Sequence, residues 1–416
     1  MYAKGPKYFT PPIPDTFEKL GISENSVTDL LLRRMLIEGQ STLENLCKKL
    51  RLSMAIVDVA FRQLRAQQLL EVKGMKGNDY HFILSQAGRQ YASERWQLNQ
   101  YAGACPVSLD DYYQATKTQA AQVSVDRESL RQCFSDLIVT DMMLDQLGPA
   151  LISQNSIFVY GPTGNGKTSL AERMLRIYDD GILIPYAVEV DNQVISLYDP
   201  VVHELLPNEN EMIDQRWVYC KRPCIVVGGE LVPAMLELRL DEASGIYSAP
   251  LQMKANNGIF IIDDFGRQLI SPRDLLNRWI VPLDRRVDYL SLRYGVKFQI
   301  PFELMVVFST NLEPSDLADE AFLRRIQNKI YVEAVSPQQF DQIFERVFYG
   351  RGVPFTPGTP ELVRGLCLRE GRTELRACYP NDICNLLTSI ASYETREISA
   401  NPIDLERACA LYFAKT

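Results

Sequence analysis

Histidine is almost missing from this chain, with two residues in 416. The nine cysteines are scattered, and neither Cys220-x3-Cys224 nor Cys378-x5-Cys384 is a zinc spacing. Those two facts together exclude a structural zinc module and a histidine-based metal centre, and the thiols read as buried and reduced. No apolar run approaches the length of a membrane-spanning helix. The opening residues 1–10 lack the apolar stretch of a secretion signal, so a soluble cytoplasmic protein without a membrane partner is expected. Internal repeats and low-complexity tracts are absent as well. The chain is nonetheless long enough, at 46% hydrophobic content, to bury sizeable cores in two or three domains. Its net charge of −8 is uneven: residues 1–100 carry 14 Lys/Arg against 10 Asp/Glu, which leaves −12 for the remainder.

Against these absences stands Gly161-Pro-Thr-Gly-Asn-Gly-Lys-Thr-Ser169, a Gly-x4-Gly-Lys-Thr pattern. The preceding Ser156–Tyr160 reads as a buried strand, and Ser169–Tyr178 follows with helical apolar spacing. Strand, glycine loop and helix in that order form a phosphate-binding loop, because the glycines let backbone N–H groups turn inward around an anion. Gly161, Thr163, Gly164, Asn165, Gly166, Lys167, Thr168 and Ser169 are therefore the candidate nucleotide-binding residues. Lys167 is expected to reach the β- and γ-phosphates, and the Thr168 hydroxyl to ligate Mg2+. A nucleoside triphosphate and Mg2+ are the implied cofactors.

About a hundred residues on, Gly258–Arg267 is an apolar run ending in Asp263 and Asp264. Such a run suits a central parallel strand buried on both faces, with its acidic end at the ligand crevice of an α/β sheet. Asp263 would hold Mg2+ through water, and Asp264 would orient or deprotonate the attacking water. Leu304–Asn311 is a further buried-strand run with a polar end, followed by Asp319-Glu-Ala-Phe-Leu-Arg-Arg325.

With these motifs the chain resembles the AAA+ ATPase superfamily over roughly residues 125–416. The resemblance implies that the nucleotide is ATP and that Asn311 senses the γ-phosphate. It also implies that Arg324 and Arg325 supply an arginine finger to a neighbouring subunit of a ring, by family habit a hexamer; a solvated helix face is the alternative for the pair. One departure is that the family places Glu where this chain has Asp264. The shorter side chain withdraws the carboxylate by roughly 1.5 Å, so slow turnover or a shifted backbone is expected.

Upstream, Ser26–Glu38 has helical spacing, Ser41 and Glu44 stand in capping-box register for a second helix, and Ser53 is placed to cap a third. Leu69–Gly74 and Tyr80–Leu84 read as strands around a Gly/Asn/Asp turn, and Ser85–Ala92 as a helix start. The pattern resembles a winged helix-turn-helix domain. Arg62, Gln63, Arg65, Gln67, Lys73 and Lys76 would face DNA, but the basic footprint is modest, and such domains also serve as protein contacts. Both uses stay open.

The domain expectation is a winged helix over 1–100, a linker over 101–125, an α/β nucleotide domain over 126–333 with an insert around 182–250, and a helical lid over 334–416. The fold class is α/β, a doubly wound parallel sheet with those two additions. The insert is similar in layout to that of enhancer-binding and MoxR-like AAA+ ATPases, although the Gly-Ala-Phe-Thr-Gly-Ala loop of sigma-54 activators is missing. That similarity makes Ile246 and Tyr247 either a substrate-gripping tip or packing residues within the insert. Arg376, before Tyr379–Cys384, is the nearest match to the family's lid arginine; a plain solvated arginine is the alternative. The function implied is a ring ATPase that remodels a partner protein; the alternative is a DNA-associated loader or regulator.

Overall fold

The computed structural model describes residues 6–7, 9–76, 79–208, 212–317, 320–369 and 373–413. The chain divides into two units, and it crosses between them several times. The first comprises 1–122, 178–260 and 274–306; the second comprises 123–177, 261–273 and 307–416.

In the first unit, the N-terminal helices Glu24–Glu38, Leu43–Leu50 and Met54–Ala66 pack Leu30, Leu31, Leu46, Phe61 and other apolar side chains into one core. Strand Asp79–Leu84 lies between Gln40–Thr42 and Leu70–Lys76 in an antiparallel sheet, and helix Gln86–Leu98 follows. The second helix does not start with the capping box expected at Ser41. Ser41 is paired in the sheet with Phe82. Thr42 caps instead, accepting from Asn45 N–H, and the Asp79 carboxylate accepts from Leu43 and Glu44 N–H at 3.2 and 2.8 Å. A long-range partner thus satisfied orphan donors that a local pattern claimed. The expected turn residues 77 and 78 lie outside the described residues.

Residues 101–125, read as a linker, carry ordered structure. Strand Val107–Ser108 pairs in parallel with Ala187–Val190, and helix Leu109–Thr118 buries Tyr112 and Ala115. Ser108 caps that helix by accepting from Asp111 N–H. The segment joins a five-stranded sheet ordered Arg239–Asp241, Ile246–Ser248, Gln193–Ser196, Ala187–Val190 and Val107–Ser108. Its polarity misled because Gln119 is buried, with its amide bonded to both the N–H and the carbonyl of Leu183. Tyr247 is buried in that sheet and its hydroxyl accepts from Arg293 N–H. It is a packing residue, not an exposed tip, because strand pairing turns it inward. Val287–Ser291 and Lys297–Pro301 pair as an antiparallel hairpin.

A second five-stranded sheet is ordered Cys224–Val227, Ile259–Ile262, Met305–Thr310, Ile157–Tyr160 and Asn328–Tyr331. The strand Ile157–Tyr160 pairs in parallel with both of its neighbours. Its residues are almost wholly buried, which is why periodicity shows only a continuous apolar run. The chain ends in helices Pro337–Gly350, Thr359–Cys367, Tyr379–Tyr393 and Pro402–Tyr412, packed about Phe340, Phe344, Phe348 and Leu405.

Candidate functional site

The site is built within the second unit, where the strand Ile157–Tyr160 runs into the glycine loop and helix Lys167–Arg173. Gly161 has φ +137°, and a Cβ there would stand 2.3 Å from the Val332 carbonyl oxygen. Gly164 has φ +82°, and its Cβ would meet Cys378 Sγ at 2.8 Å. Both positions need glycine for conformation and for close approach. Lys167 is 8% exposed, and its ammonium donates to the carbonyls of Gly161 and Pro162 at 2.9 and 3.0 Å. Burial lowers its pKa from the ordinary lysine value, while Asp263 and Asp264 pull it back up.

Thr168 donates its hydroxyl to the Asp263 carboxylate, with the two oxygens 2.9 and 2.8 Å away. A hydroxyl and a carboxylate at one point beside a phosphate loop form a hard-oxygen donor pair that fits Mg2+. Among the described residues no cluster of three His, Cys, Asp or Glu side chains offers an all-protein metal cage. Mg2+ characteristically completes its shell with waters and substrate phosphates rather than such a cage.

Four hydrogen bonds hold the acidic turn. Phe265 N–H donates to Ser309 O, the buried Thr310 hydroxyl donates to Phe265 O, and Gln268 Nε2 donates to the carbonyls of Asp263 and Asp264. Phe265 also packs against Phe158 and Phe308 beneath the loop. Asp264 has φ +48°, a left-handed backbone that Asp tolerates better than most residues, and its side chain is exposed. Asn311 Nδ2 donates to Thr163 Oγ1 at 3.1 Å, bringing the residue that ends its strand onto the glycine loop.

Arg324 and Arg325 lie elsewhere. They precede strand Asn328–Tyr331, whose Asn328 stands beside Ile157 at the start of the phosphate-loop strand. The Arg325 carbonyl is within reach of the Ser156 hydroxyl. Four strand residues, roughly 13 Å, separate that end from Gly161. Asp319 of the same motif lies outside the described residues. Arg376, by contrast, is brought to the loop: its Cβ and Cδ lie within 3.5 Å of a Cβ built on Gly164, and its guanidinium stands 5.9 Å from the Tyr379 ring centroid.

Beside the loop opens a cavity of about 680 Å3. Its walls include Ile138, Val139 and Met143, Ser169 and Leu170, and Ile343 and Val347. This is the size and apolar character of a small-ligand pocket. Sequence reasoning pointed to Ser169 alone among these and missed the apolar wall, along with Thr310 and Gln268. Only Thr310 left a trace, as a polar residue closing an apolar strand.

Residues 336–411, which form the C-terminal helices, match a family described as Domain of unknown function (DUF8689). No curated protein matches the chain. Similar solved structures include a Thermotoga maritima RuvB Holliday junction branch migration motor, at 12% identity and TM-score 0.37 over 70% of this chain and 72% of that one. NtrX from Brucella abortus is similar at 14% identity and TM-score 0.39, over 64% of this chain and 53% of its own. The FIGL-1 AAA domain in complex with ADP is similar at 15% identity and TM-score 0.35, over 71% and 85%. The site's own geometry carries the functional reading.

Proposed function

We propose that this protein is an AAA+ ATPase that binds and hydrolyses Mg-ATP and uses the energy, as a ring of like subunits, to remodel a partner protein. The observation that carries the reading is Thr168 on Asp263, next to a buried Lys167 in a glycine loop that borders an apolar cavity. Backbone N–H groups of the loop and Lys167 would bind the phosphates, and the cavity would take the base and ribose. Thr168 and Asp263 would hold Mg2+, which neutralises charge on the phosphates as the terminal bond breaks. Asp264 accepts a proton from the attacking water, and Asn311 orients it.

The site of Arg324 and Arg325, at the far end of the phosphate-loop strand, supports action on a neighbouring copy. An arginine there stabilises charge developing on another subunit's phosphoryl group. The C-terminal helices act as a lid, with Arg376 over the loop.

The N-terminal helices and hairpin are read as a winged helix that contacts protein rather than DNA. Two of the basic side chains that would face DNA are neutralised locally, Arg62 by Asp58 and Lys73 by Glu71. Helix Met54–Ala66 exposes Met54 and Val59, an apolar face unsuited to phosphates. Steady-state hydrolysis of Mg-ATP, with and without duplex DNA at low and physiological salt, tests both levels. Hydrolysis that DNA leaves unchanged is the expected result. No hydrolysis and no nucleotide binding would refute the ATPase reading, and salt-sensitive stimulation by DNA would replace the protein client with a nucleic-acid one.

A further inference from the structure

Asn165 stands between Gly164 and Gly166, both with φ +82°, in the phosphate loop. Its side chain is buried at the edge of the cavity beside the loop. Asn165 Oδ1 accepts from Ala377 N–H at 3.1 Å, and Nδ2 donates back to Pro162 O at 3.4 Å. One residue on, Cys378 N–H donates to the Gly164 carbonyl at 2.9 Å. Ala377 and Cys378 lead into helix Tyr379–Tyr393, and Cys378, its N-cap, makes no side-chain cap. The first donors of a helix are normally satisfied by a side chain of the cap residue or by water. Here two donors at the helix entry are taken by the phosphate loop itself. Arg376, the next residue upstream, rests its aliphatic stem against Gly164.

We infer that Asn165 is a positioning residue that docks the start of this helix on the phosphate loop and thereby sets where Arg376 stands. The inference rests on the proposed nucleotide site and adds a route by which loop conformation reaches the C-terminal helices. A nucleoside triphosphate and a diphosphate differ at the terminal phosphate, so they would be told apart through Arg376 only while this contact holds. The chemistry is one-directional. The Asn165 side chain contributes an acceptor to Ala377, and the backbone of the same loop remains available for phosphate oxygens.

The test compares Asn165→Ala, Arg376→Ala and the double variant in the full chain. Two readouts are used: amide exchange over residues 377–382, and equilibrium binding of Mg-ATP and Mg-ADP. One lost hydrogen bond corresponds to about a three- to tenfold effect. In Asn165→Ala, exchange at 377–382 should rise by at least that factor. The preference for ATP over ADP should fall by about the same factor, to the level of Arg376→Ala, with no further fall in the double variant. Unchanged exchange, equal loss of ATP and ADP affinity, or multiplying effects in the double variant would overturn the inference. Failure of the wild-type protein to bind either nucleotide would instead refute the function on which it rests, and the exchange measurement would still decide the docking.

Discussion

Replacing Arg222 with Met should unfold much of the first unit's stability without touching the candidate site. Arg222 and Asp180 are 3% and 6% exposed, and their side chains meet through two hydrogen bonds of 2.7 and 2.6 Å. The remaining Arg222 nitrogen, Nη1, donates to the carbonyls of Gln119 and Asn257 at 3.0 and 2.8 Å, and the guanidinium faces the Tyr178 ring. One cation thereby ties together three stretches of chain that are distant in sequence. Removing it strands a buried carboxylate, which costs about 3–5 kcal/mol, and leaves two carbonyls short of a donor. Against a total of about 5–15 kcal/mol, that is a large fraction. With a urea slope of about 2 kcal/mol per molar, the midpoint should fall by about 2 M. All three tryptophans, Trp96, Trp217 and Trp279, belong to the first unit, so their emission follows it selectively. Arg222→Met with Asp180→Leu removes both charges and should recover about half of the loss. A single variant that loses less than about 1 kcal/mol, or a double variant worse than the single, would refute the ion-pair argument.

Lys167→Ala should raise the dissociation constant for Mg-ATP by at least about tenfold, as expected for a lost charge-assisted contact, measured by equilibrium dialysis. Asp264→Asn keeps the side-chain size and should retain binding while slowing hydrolysis by about a hundredfold or more. The same variant with ATP at micromolar concentration should form a ring, and monomers in light scattering would count against assembly. His203 supplies a pH dependence. It is buried, its Nδ1 accepts from Asp199 N–H, and Nε2 lies 2.9 Å from Lys254 O. Burial lowers its pKa below the ordinary 6.5, so the unfolded chain takes up the proton first as pH falls. Its contribution is therefore intact above about pH 6.5 and is lost as pH falls through the lower folded value. The urea midpoint should drop between pH 7 and 5.5, and His203→Gln should flatten that slope; an unchanged slope would assign the effect elsewhere.

Legibility followed the range of the interactions involved. The glycine loop, Lys167, Thr168 and the acidic strand end are contiguous patterns, and the structure joins Thr168 to Asp263. The C-terminal helices were readable because amphipathic period is local. The 101–125 segment was misread because buried polar groups such as Gln119 look like loop residues until a partner strand is in place. Tyr247 was ambiguous for the same reason: which face of a short strand is buried depends on what lies across from it.

The order of residues alone determined the chemistry on offer: a phosphate cradle that needs glycines, a lysine, a hydroxyl and two carboxylates. The glycines, lysine and hydroxyl lie within a few positions of one another, and the two carboxylates are adjacent at the end of a second apolar run. Tertiary structure decided which of them meet. It put Asn311 on Thr163, placed Arg324 and Arg325 at the opposite end of the phosphate-loop strand, and seated the entry of the Tyr379 helix on Gly164 and Asn165. Those contacts span about 150 to more than 200 residues of chain, and no local propensity encodes them. They exist because parallel strands must be joined by long crossovers, so neighbours in the sheet are strangers in sequence.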